Sequence, residues 1–261
     1  MAIEHRIHPN LVRDIARVHV VGCGGNGSQI LTGLARLHYA ITALGHPGLL
    51  VTAWDPDEVS RANVGRQLFS PSDVGHNKAA VLVNRLNAFF GLAWRAAPTK
   101  WRWRYEPNAW PDIVISCVDS AAARREIGAA LHHKPDVYYW LDLGNRADDG
   151  QVVLGCPIWN EEHGQRHPER LPTVLELFPE LLNKRLKEDT APSCSLAEAL
   201  ERQHLFVNQS VVTPALQILW QLFRFGVITW HGAFVNLKTG RTAPLPVDLE
   251  VWARMRGAVR G

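Results

Sequence analysis

A glycine-rich turn near the start of the chain limits its fold more than any other segment. Residues 22–27 read Gly-Cys-Gly-Gly-Asn-Gly. They end an apolar run at 18–23 that predicts a buried strand, and they open a stretch at 26–44 with the apolar spacing of a helix. Strand, G-x-G-x-x-G and helix in this order are typical of nucleotide sites, because backbone amides and the helix N-terminus attract phosphate oxygens. On its own the turn fits ATP and NAD equally well.

The first 150 residues alternate between strand and helix patterns. Short apolar runs predict buried strands, and apolar residues three and four positions apart predict helices between them. Such alternation is typical of α/β folds, so we expect a Rossmann-like, mostly parallel sheet flanked by helices. The further predicted elements lie at residues 49–54, 78–90, 112–118, 121–131, 137–143 and 151–154.

The second half of the chain has a different character. Residues 156–195 are polar and rich in proline, which predicts an irregular crossover loop. Residues 207–225 are apolar almost all round and predict a buried helix, which Pro214 either kinks or restarts with Thr213 as its cap. Residues 227–237 and 241–247 then predict an antiparallel hairpin.

We therefore expect a single domain over residues 1–261. It divides into a nucleotide-binding half at 1–150, the crossover loop at 156–195, the C-terminal helix and hairpin at 196–247, and a tail at 248–261.

Composition argues against several classes of protein. Lys and Arg number 28 against 25 Asp and Glu, and a net charge of +3 is too small to predict a surface that follows nucleic-acid phosphates. The four cysteines form no Cys-x-x-Cys pair, so we expect a reduced, cytoplasmic setting and no zinc knuckle. No apolar run approaches the roughly 18 residues of a membrane span.

One aromatic stretch allows two interpretations. Residues 101–105 read Trp-Arg-Trp-Arg-Tyr, and aromatic rings beside arginines can stack nucleic-acid bases. The period of two instead favours an ordinary strand, with tryptophans on one face and arginines on the other. We adopt the strand interpretation.

Polar residues after the predicted strands favour ATP over NAD. Asp55 ends the strand at 49–54, where an acid commonly holds ribose hydroxyls. Adenylate formation brings a carboxylate to the α-phosphorus, so two anions must meet. Arg66 and Lys78 can offset that charge, and Asn63 can donate to the phosphates. Asp119 offers the oxygen ligand that Mg²⁺ prefers.

The ordered motifs resemble those of the ThiF/MoeB/HesA family, relatives of ubiquitin-activating enzyme. The motifs are the glycine loop, Asp-x-Asp, Asn-x-x-Arg-Gln, Gly-x-x-Lys and Cys-x-Asp, spread over roughly half the chain. The resemblance implies ATP and Mg²⁺ as cofactors, a homodimer, and adenylation of the C-terminal glycine tail of a small ubiquitin-like protein. It also implies a nucleotide site that includes an arginine following the family's aspartate. The implied nucleotide-binding residues are Gly22, Gly24, Gly25, Asn26, Gly27, Asp55, Asn63, Arg66, Gln67, Lys78, Asp119 and Arg124.

The C-terminal part carries a narrower resemblance. Residues 203–247, together with 192–195, resemble the ThiF-related proteins of the PRTRC cassette, a bacterial gene cluster that also encodes a small ubiquitin-like protein. This implies such a carrier as partner, with a conjugating enzyme as a further one. The zinc cysteines of many family members are missing, so no structural zinc is expected.

Cys194 is the predicted acyl acceptor, beside Asp119, Arg66 and Lys78 as catalytic residues. Residues 195–198, Ser-Leu-Ala-Glu, form a capping-box pattern, so a helix is expected to start there. A thiol just before a helix N-terminus is favoured as thiolate and could take the carrier as a thioester. An inert thiol is the alternative, with Cys156 as another acceptor.

Several functions stay open at this point. The first is an activating enzyme with a thioester step, and the second is a sulfur-carrier adenylyltransferase without one. A nucleotide-binding scaffold without catalysis is the third, and an NAD oxidoreductase is a distant fourth.

Overall fold

The computed structural model describes residues 3–103, 110–132, 134, 137–157, 170–185 and 203–257. Cys194, its capping-box pattern and most of the predicted crossover loop lie outside these residues. The strands are β1 (His5–Arg6), β2 (Ala16–Val21), β3 (Leu49–Trp54), β4 (Arg95–Ala97), β5 (Ile113–Ser116), β6 (Tyr139–Asn145), β7 (Asp149–Gly155), β8 (Val227–Ile228), β9 (Trp230–Asn236) and β10 (Arg241–Pro246). The α-helices are α1 (Asn10–Arg13), α2 (Gly25–Ala43), α3 (Lys78–Phe90), α4 (Ala121–Leu131), α5 (Val174–Leu177), α6 (Val207–Phe225) and α7 (Leu249–Gly257).

Eight strands form one mixed sheet in the order β10-β9-β7-β6-β5-β2-β3-β4. The five strands from β6 to β4 are parallel, whereas β7, β9 and β10 are antiparallel to their neighbours. Both the Rossmann-like parallel sheet and its antiparallel C-terminal extension are therefore confirmed. Strands β1 and β8 pair separately, with His5 opposite Ile228.

The sheet is covered on both faces. From β2 the chain moves through α2 to β3 on one side, whereas from β5 it moves through α4 to β6 on the other. The two connections run towards opposite edges of the sheet, and because both are right-handed crossovers, α2 and α4 lie on opposite faces. Helix α6 packs on α2, and the helices come so close that a Cβ on Gly33 would lie 2.1 Å from Leu216 Cδ1.

The loops after β2 and β5 leave the sheet in opposite directions. This point, where the strand order reverses, is where open α/β sheets bind ligands beyond the carboxyl ends of their strands. The glycine-rich turn follows β2, and Asp119 follows β5. The topology thus brings two separate sequence motifs to one edge.

Two local predictions were wrong in whole or in part. Helix α6 runs as one helix through Pro214, so the chain neither restarts there nor uses Thr213 as a cap, and a kink at Pro214 stays a prediction. Instead the Thr213 hydroxyl donates to Gln209 O at 2.9 Å. Residues 101–103 form no strand, and the Trp101 indole N–H donates to His19 Nδ1 at 3.2 Å.

Within the described ranges, every helix is too short or too polar to cross a membrane.

Candidate functional site

A cleft of about 560 Å³ opens at the reversal point of the sheet. Its walls come from the glycine-rich turn, the ends of β3 and β5, the segment after β4, and the helices α4 and α6. Nine of the residues predicted from sequence lie in these walls: Gly22, Gly24, Gly25, Asn26, Asp55, Arg66, Gln67, Lys78 and Asp119. Of the other predicted residues, Gly27, Asn63 and Arg124 lie outside the walls, and Cys194 is not described.

Glycine is required in the turn for steric reasons. Gly22 has φ of +89°, a left-handed conformation that side chains rarely adopt. A Cβ on Gly27 would lie 1.9 Å from Gly22 O, and one on Gly25 would lie 2.4 Å from Asn208 Nδ2. The turn therefore folds tightly enough to begin α2 at Gly25, and the N-terminus of this 19-residue helix faces the cleft.

Asp55 ties the glycine-rich turn to the end of β3. Its side chain is 5% exposed and accepts hydrogen bonds from the backbone N–H of Cys23 at 2.6 Å and of Asp57 at 2.8 Å. Burial raises the pKa of the Asp55 carboxyl, and these two hydrogen bonds and Lys78 counteract the rise. A carboxylate has about four acceptor positions, so others remain for a ligand hydroxyl.

Lys78 brings a positive charge to the cleft from the first turn of α3. Asn77 caps this helix by accepting from Ala80 N–H at 3.0 Å. Lys78 Nζ lies 3.0 Å from Asp57 Oδ2; the lysine side chain is 12% exposed, but the aspartate is 64% exposed. Ion pairs with so exposed a partner contribute little, so Lys78 can exchange Asp57 for a phosphate at low cost.

Arg66 has an incomplete set of partners. Its Nη1 donates to Gln203 Oε1, while its buried Nε has no hydrogen-bond partner within the described part of the chain. Burial also lowers the pKa of Arg66. Both facts favour the arrival of an anion, which would give the guanidinium a partner and offset its desolvation.

Three amide side chains in the walls are also incompletely bonded. Asn26 Oδ1, Gln67 Oε1 and Asn208 Nδ2 are buried without a partner among the described residues, although Asn26 Nδ2 donates to Asn145 Oδ1 at 2.8 Å. Leaving a buried polar group unpaired costs about 1–3 kcal/mol. Several such groups around one cleft indicate a site built to be completed by a ligand.

Asp119 stands in the turn between β5 and α4. Its carboxylate is exposed to the cleft, and no hydrogen bond or ion pair joins it to any described residue. Mg²⁺ in nucleotide sites takes one or two carboxylates, and its remaining ligands are phosphate oxygens and water. A free carboxylate beside a glycine-rich turn fits that ligand set.

Arg124 lies behind the cleft wall. Its Nε donates to both carboxylate oxygens of Asp142, at 3.1 and 3.0 Å, and both side chains are buried. Its Nη2 donates to Val118 O at 2.8 Å, in the turn that carries Asp119. These contacts indicate a positioning role, and a direct contact with nucleotide stays a prediction.

Asn63 also acts locally in the structure. Its Oδ1 accepts from Ser60 N–H at 2.9 Å and so caps the 3-10 helix Arg61–Asn63. Asn63 O in turn accepts from Gln67 N–H at 2.9 Å, which holds the segment bearing Arg66 and Gln67. The predicted phosphate contact of Asn63 is not tested by this arrangement.

Sequence reasoning missed part of the cleft. Asn145 and Asn208 reach it from β6 and α6, far along the chain from the glycine-rich turn, and no local motif marks them. Trp54, Trp101 and Trp103 also lie in the walls. The Trp-Arg-Trp spacing could have indicated a stacking surface, but its period of two favoured a strand.

The three described cysteines are poorly suited to nucleophilic attack. Burial raises the pKa of the Cys23 and Cys117 thiols well above their usual range, and it raises that of Cys156 to about 12. A thiol is nucleophilic only as thiolate, which these pKa values disfavour near neutral pH.

Comparisons with known proteins agree with the fold and the motifs. The sequence matches the profile of the ThiF family over residues 12–227. No curated protein matches it. Among solved structures, PaaA superposes with a TM-score of 0.54 at 14% identity, covering 89% of this chain and 64% of PaaA. Escherichia coli MccB, crystallised with MccA, gives 0.54 at 14%, covering 91% of this chain and 65% of MccB. The chain thus spans slightly less than two thirds of each.

Proposed function

The chain belongs to the ThiF family, and from this premise we propose that it adenylates the C-terminal carboxylate of a small ubiquitin-like carrier protein with ATP. Family membership supports an adenylating activity in general. The nature of the carrier, the Mg²⁺ and a later thioester are the finer parts of the proposal. That E. coli MccB was crystallised together with MccA supports a small protein partner.

One observation carries the proposal. Arg66, Lys78 and Asp119, which are far apart in sequence, line the same cleft as the N-terminus of α2. Two cations and a helix N-terminus favour a triphosphate, and the nearby carboxylate suits a divalent ion bound to it. A dinucleotide carries less phosphate charge, and it has no use for a metal ligand there.

The reaction follows from these charges. An oxygen of the carrier carboxylate forms a bond to the α-phosphorus, the bond from that phosphorus to the β-phosphate oxygen breaks, and pyrophosphate leaves with the electron pair. Arg66 and Lys78 offset the negative charge that gathers during this exchange. Asp119 would hold Mg²⁺, which supplies further charge neutralisation on the phosphates.

Asp55 and the amide side chains would fix the reactants. Asp55 is held rigidly by two backbone N–H groups and retains acceptor positions for ribose hydroxyls. Asn26 Oδ1 and Gln67 Oε1 are unpaired acceptors, and Asn208 Nδ2 is an unpaired donor, among the described residues. All three are available to hydrogen-bond a ligand. Fixing both substrates in this way converts a reaction between two anions into one within a single complex.

Pyrophosphate exchange tests the adenylation step. With Mg²⁺, ATP and a small ubiquitin-like protein with a C-terminal glycine tail, labelled pyrophosphate is expected to enter ATP. The same carrier with an amidated C-terminus should give no exchange. Lys78→Met is expected to lower the exchange rate by roughly a hundredfold, because removal of one charge-stabilising donor from an enzyme active site typically has an effect of that size.

Lys238→Met is the matched control for Lys78→Met. Lys238 also pairs with an aspartate, Asp148, at 2.7 Å, but it lies outside the cleft walls. Its loss should leave exchange unchanged. Equal rates in the two variants, or exchange with the amidated carrier, would contradict the proposed site.

The thioester step is proposed for Cys194. The raised pKa values of Cys23, Cys117 and Cys156 support this choice by elimination. Cys194→Ser is expected to keep full pyrophosphate exchange, because the ATP site is built from other residues. It should lose the adduct that wild-type protein forms with the carrier and that thiols release, seen by non-reducing electrophoresis.

Three outcomes would redirect these proposals. A reducible adduct that survives in Cys194→Ser would move the acceptor to Cys156 or another cysteine. Intact exchange without any adduct in the wild type would favour the sulfur-carrier adenylyltransferase. Absence of exchange with every carrier would favour a nucleotide-binding scaffold.

A further inference from the structure

Gln203 connects the guanidinium of Arg66 to the sheet. Its side chain lies in the cleft wall, and its Oε1 accepts a hydrogen bond from Arg66 Nη1, although the two residues are 137 positions apart in sequence. Its Nε2 donates to Arg146 O at 3.4 Å, in the turn between β6 and β7. One end of the amide therefore contacts the cation, and the other end contacts the backbone of the fold.

The turn between β6 and β7 holds Gln203 by its backbone as well. Arg146 N–H donates to Asp149 O at 2.8 Å, which closes the turn. Ala147 O accepts from the N–H of His204, the residue after Gln203, at 2.8 Å. A backbone bond and a side-chain bond thus fix the position of Gln203 relative to the sheet.

A chain of hydrogen bonds runs along the cleft wall through the same turn. Asn145 Nδ2 donates at 3.2 Å to Arg146 O, the oxygen to which Gln203 also donates. Asn145 Oδ1 in turn accepts from Asn26 Nδ2 at 2.8 Å, in the first turn of α2. The start of α2 and the guanidinium of Arg66 are therefore connected to one backbone oxygen, and linked hydrogen bonds of this kind reinforce one another.

The bond at Nη1 leaves one edge of the Arg66 guanidinium for a ligand. In any arginine, Nε and Nη2 form an edge with two parallel N–H donors, which suits bidentate binding of phosphate or carboxylate oxygens. Arg66 Nε is buried and has no hydrogen-bond partner among the residues that the structure describes. Gln203 therefore uses a donor that lies outside this edge.

The partner of Arg66 carries no charge, unlike the partner of the other cation in the cleft. Lys78 pairs with the carboxylate of Asp57, which is 64% exposed and therefore contributes little. A carboxylate at the half-buried position of Gln203 would pair with Arg66 more strongly and would compete with an incoming anion. An amide oxygen instead orients the guanidinium and leaves its positive charge uncompensated.

From these contacts, and resting on the proposed function, we propose that Gln203 is a positioning residue for adenylation. It holds Arg66 by Nη1, so that the edge formed by Nε and Nη2 meets the charge that develops on the phosphates. An arginine side chain has high rotamer entropy, and a guanidinium that is already held loses less of it in the transition state. Preorganised charges act mainly on the rate, because they need not reorient during the reaction.

Gln203→Met tests this inference by keeping the length of the side chain and removing both of its hydrogen bonds. The maximal rate of ATP–pyrophosphate exchange is expected to fall roughly tenfold, the effect of losing one hydrogen bond to a charged group. The affinity for MgATP, measured by calorimetry without the carrier, should stay within about twofold, because the charge of Arg66 is still present.

Two further variants separate positioning from a general disturbance of the fold. Gln203→Glu keeps an acceptor for Arg66 but adds a negative charge, so the affinity for MgATP should fall roughly tenfold. Gln217→Met alters an exposed glutamine of α6 outside the cleft walls and should change neither the rate nor the affinity. Circular dichroism checks that each variant is folded.

A double variant shows whether Gln203 acts through Arg66. If it does, adding Gln203→Met to Arg66→Met lowers the exchange rate no further. The same proportional loss in both backgrounds, or a wild-type rate in Gln203→Met, would overturn the inference, although the proposed adenylation would stand. Absence of exchange from wild-type protein, or an unimpaired Arg66→Met, would count against the proposed function and the inference together.

Discussion

Asp119→Ala is expected to lower ATP–pyrophosphate exchange at least about a hundredfold while leaving the protein folded. A metal ion held at transferring phosphates supplies several kcal/mol of stabilisation to the transition state. Each 1.36 kcal/mol corresponds to about a tenfold change in rate. The fold should survive, because the Asp119 carboxylate is exposed and unbonded among the described residues.

Two controls accompany this variant. Asp119→Asn keeps the shape of the side chain and removes its charge, so it should be nearly as impaired. Asp14→Ala removes an exposed aspartate that lies outside the cleft walls and should have no effect. Exchange close to the wild-type rate in Asp119→Ala would remove this residue from the mechanism.

Arg124→Met is expected to lower the free energy of unfolding by about 3–5 kcal/mol, measured by urea denaturation. The substitution leaves Asp142 as an uncompensated charge in the core. Asp142 also accepts from the Ser116 hydroxyl at 2.6 Å, and that hydroxyl accepts from Trp140 Nε1 at 2.7 Å. Loss of the arginine therefore disturbs a connected buried network.

The adjacent arginine provides the control. Arg125 donates to Leu181 O at 2.7 Å from a partly exposed position, so Arg125→Met should cost only about 1 kcal/mol. The double variant Arg124→Met with Asp142→Leu should recover part of the lost stability, because no charge remains buried. Equal losses in Arg124→Met and Arg125→Met would contradict the assigned role.

The parallel part of the fold could be predicted because its signals are local. Strand β3 and the helices α3, α4 and α6 have the bounds that apolar spacing predicted. Short buried strands and amphipathic helices leave distinct periods in sequence, and the glycine-rich turn fixes how the first strand and helix meet. Their alternation then leaves few topologies that satisfy right-handed crossovers.

What could not be predicted depends on distant contacts. The strand expected at residues 101–105 is a loop where described, and the buried Trp101 is held by a side-chain hydrogen bond to His19 on β2, a contact between residues far apart in sequence. Helix α6 continues through Pro214 because it is packed against α2 and the sheet, which outweighs a local breaker. Helix α7 was expected only as a tail, and its Trp252 donates to the buried His231 at 2.9 Å.

The candidate site divides in the same way. Residues that belong to short motifs, such as Asp55, Arg66 and Lys78, were placed in the cleft by sequence alone. Arg124 was predicted from a family position, but its guanidinium donates to the carboxylate of Asp142, which belongs to no recognised motif. Asn208 and the tryptophans reach the site through tertiary packing, which produces no regular residue spacing in the sequence from which they could be predicted.

The pairing of β1 with β8 has a consequence for folding of the chain during its synthesis on the ribosome. His5 and Ile228 are partners roughly 220 residues apart in sequence. At synthesis rates of about 5–20 residues per second, the first strand waits about 10 to 45 s for its partner to be made. The nucleotide-binding strands can assemble earlier, because all of them precede α6. We therefore expect the β1–β8 pair to form after the nucleotide-binding strands, so nascent chains stalled before residue 227 should be cut by proteases near residues 5 and 6, where β1 still lacks its partner.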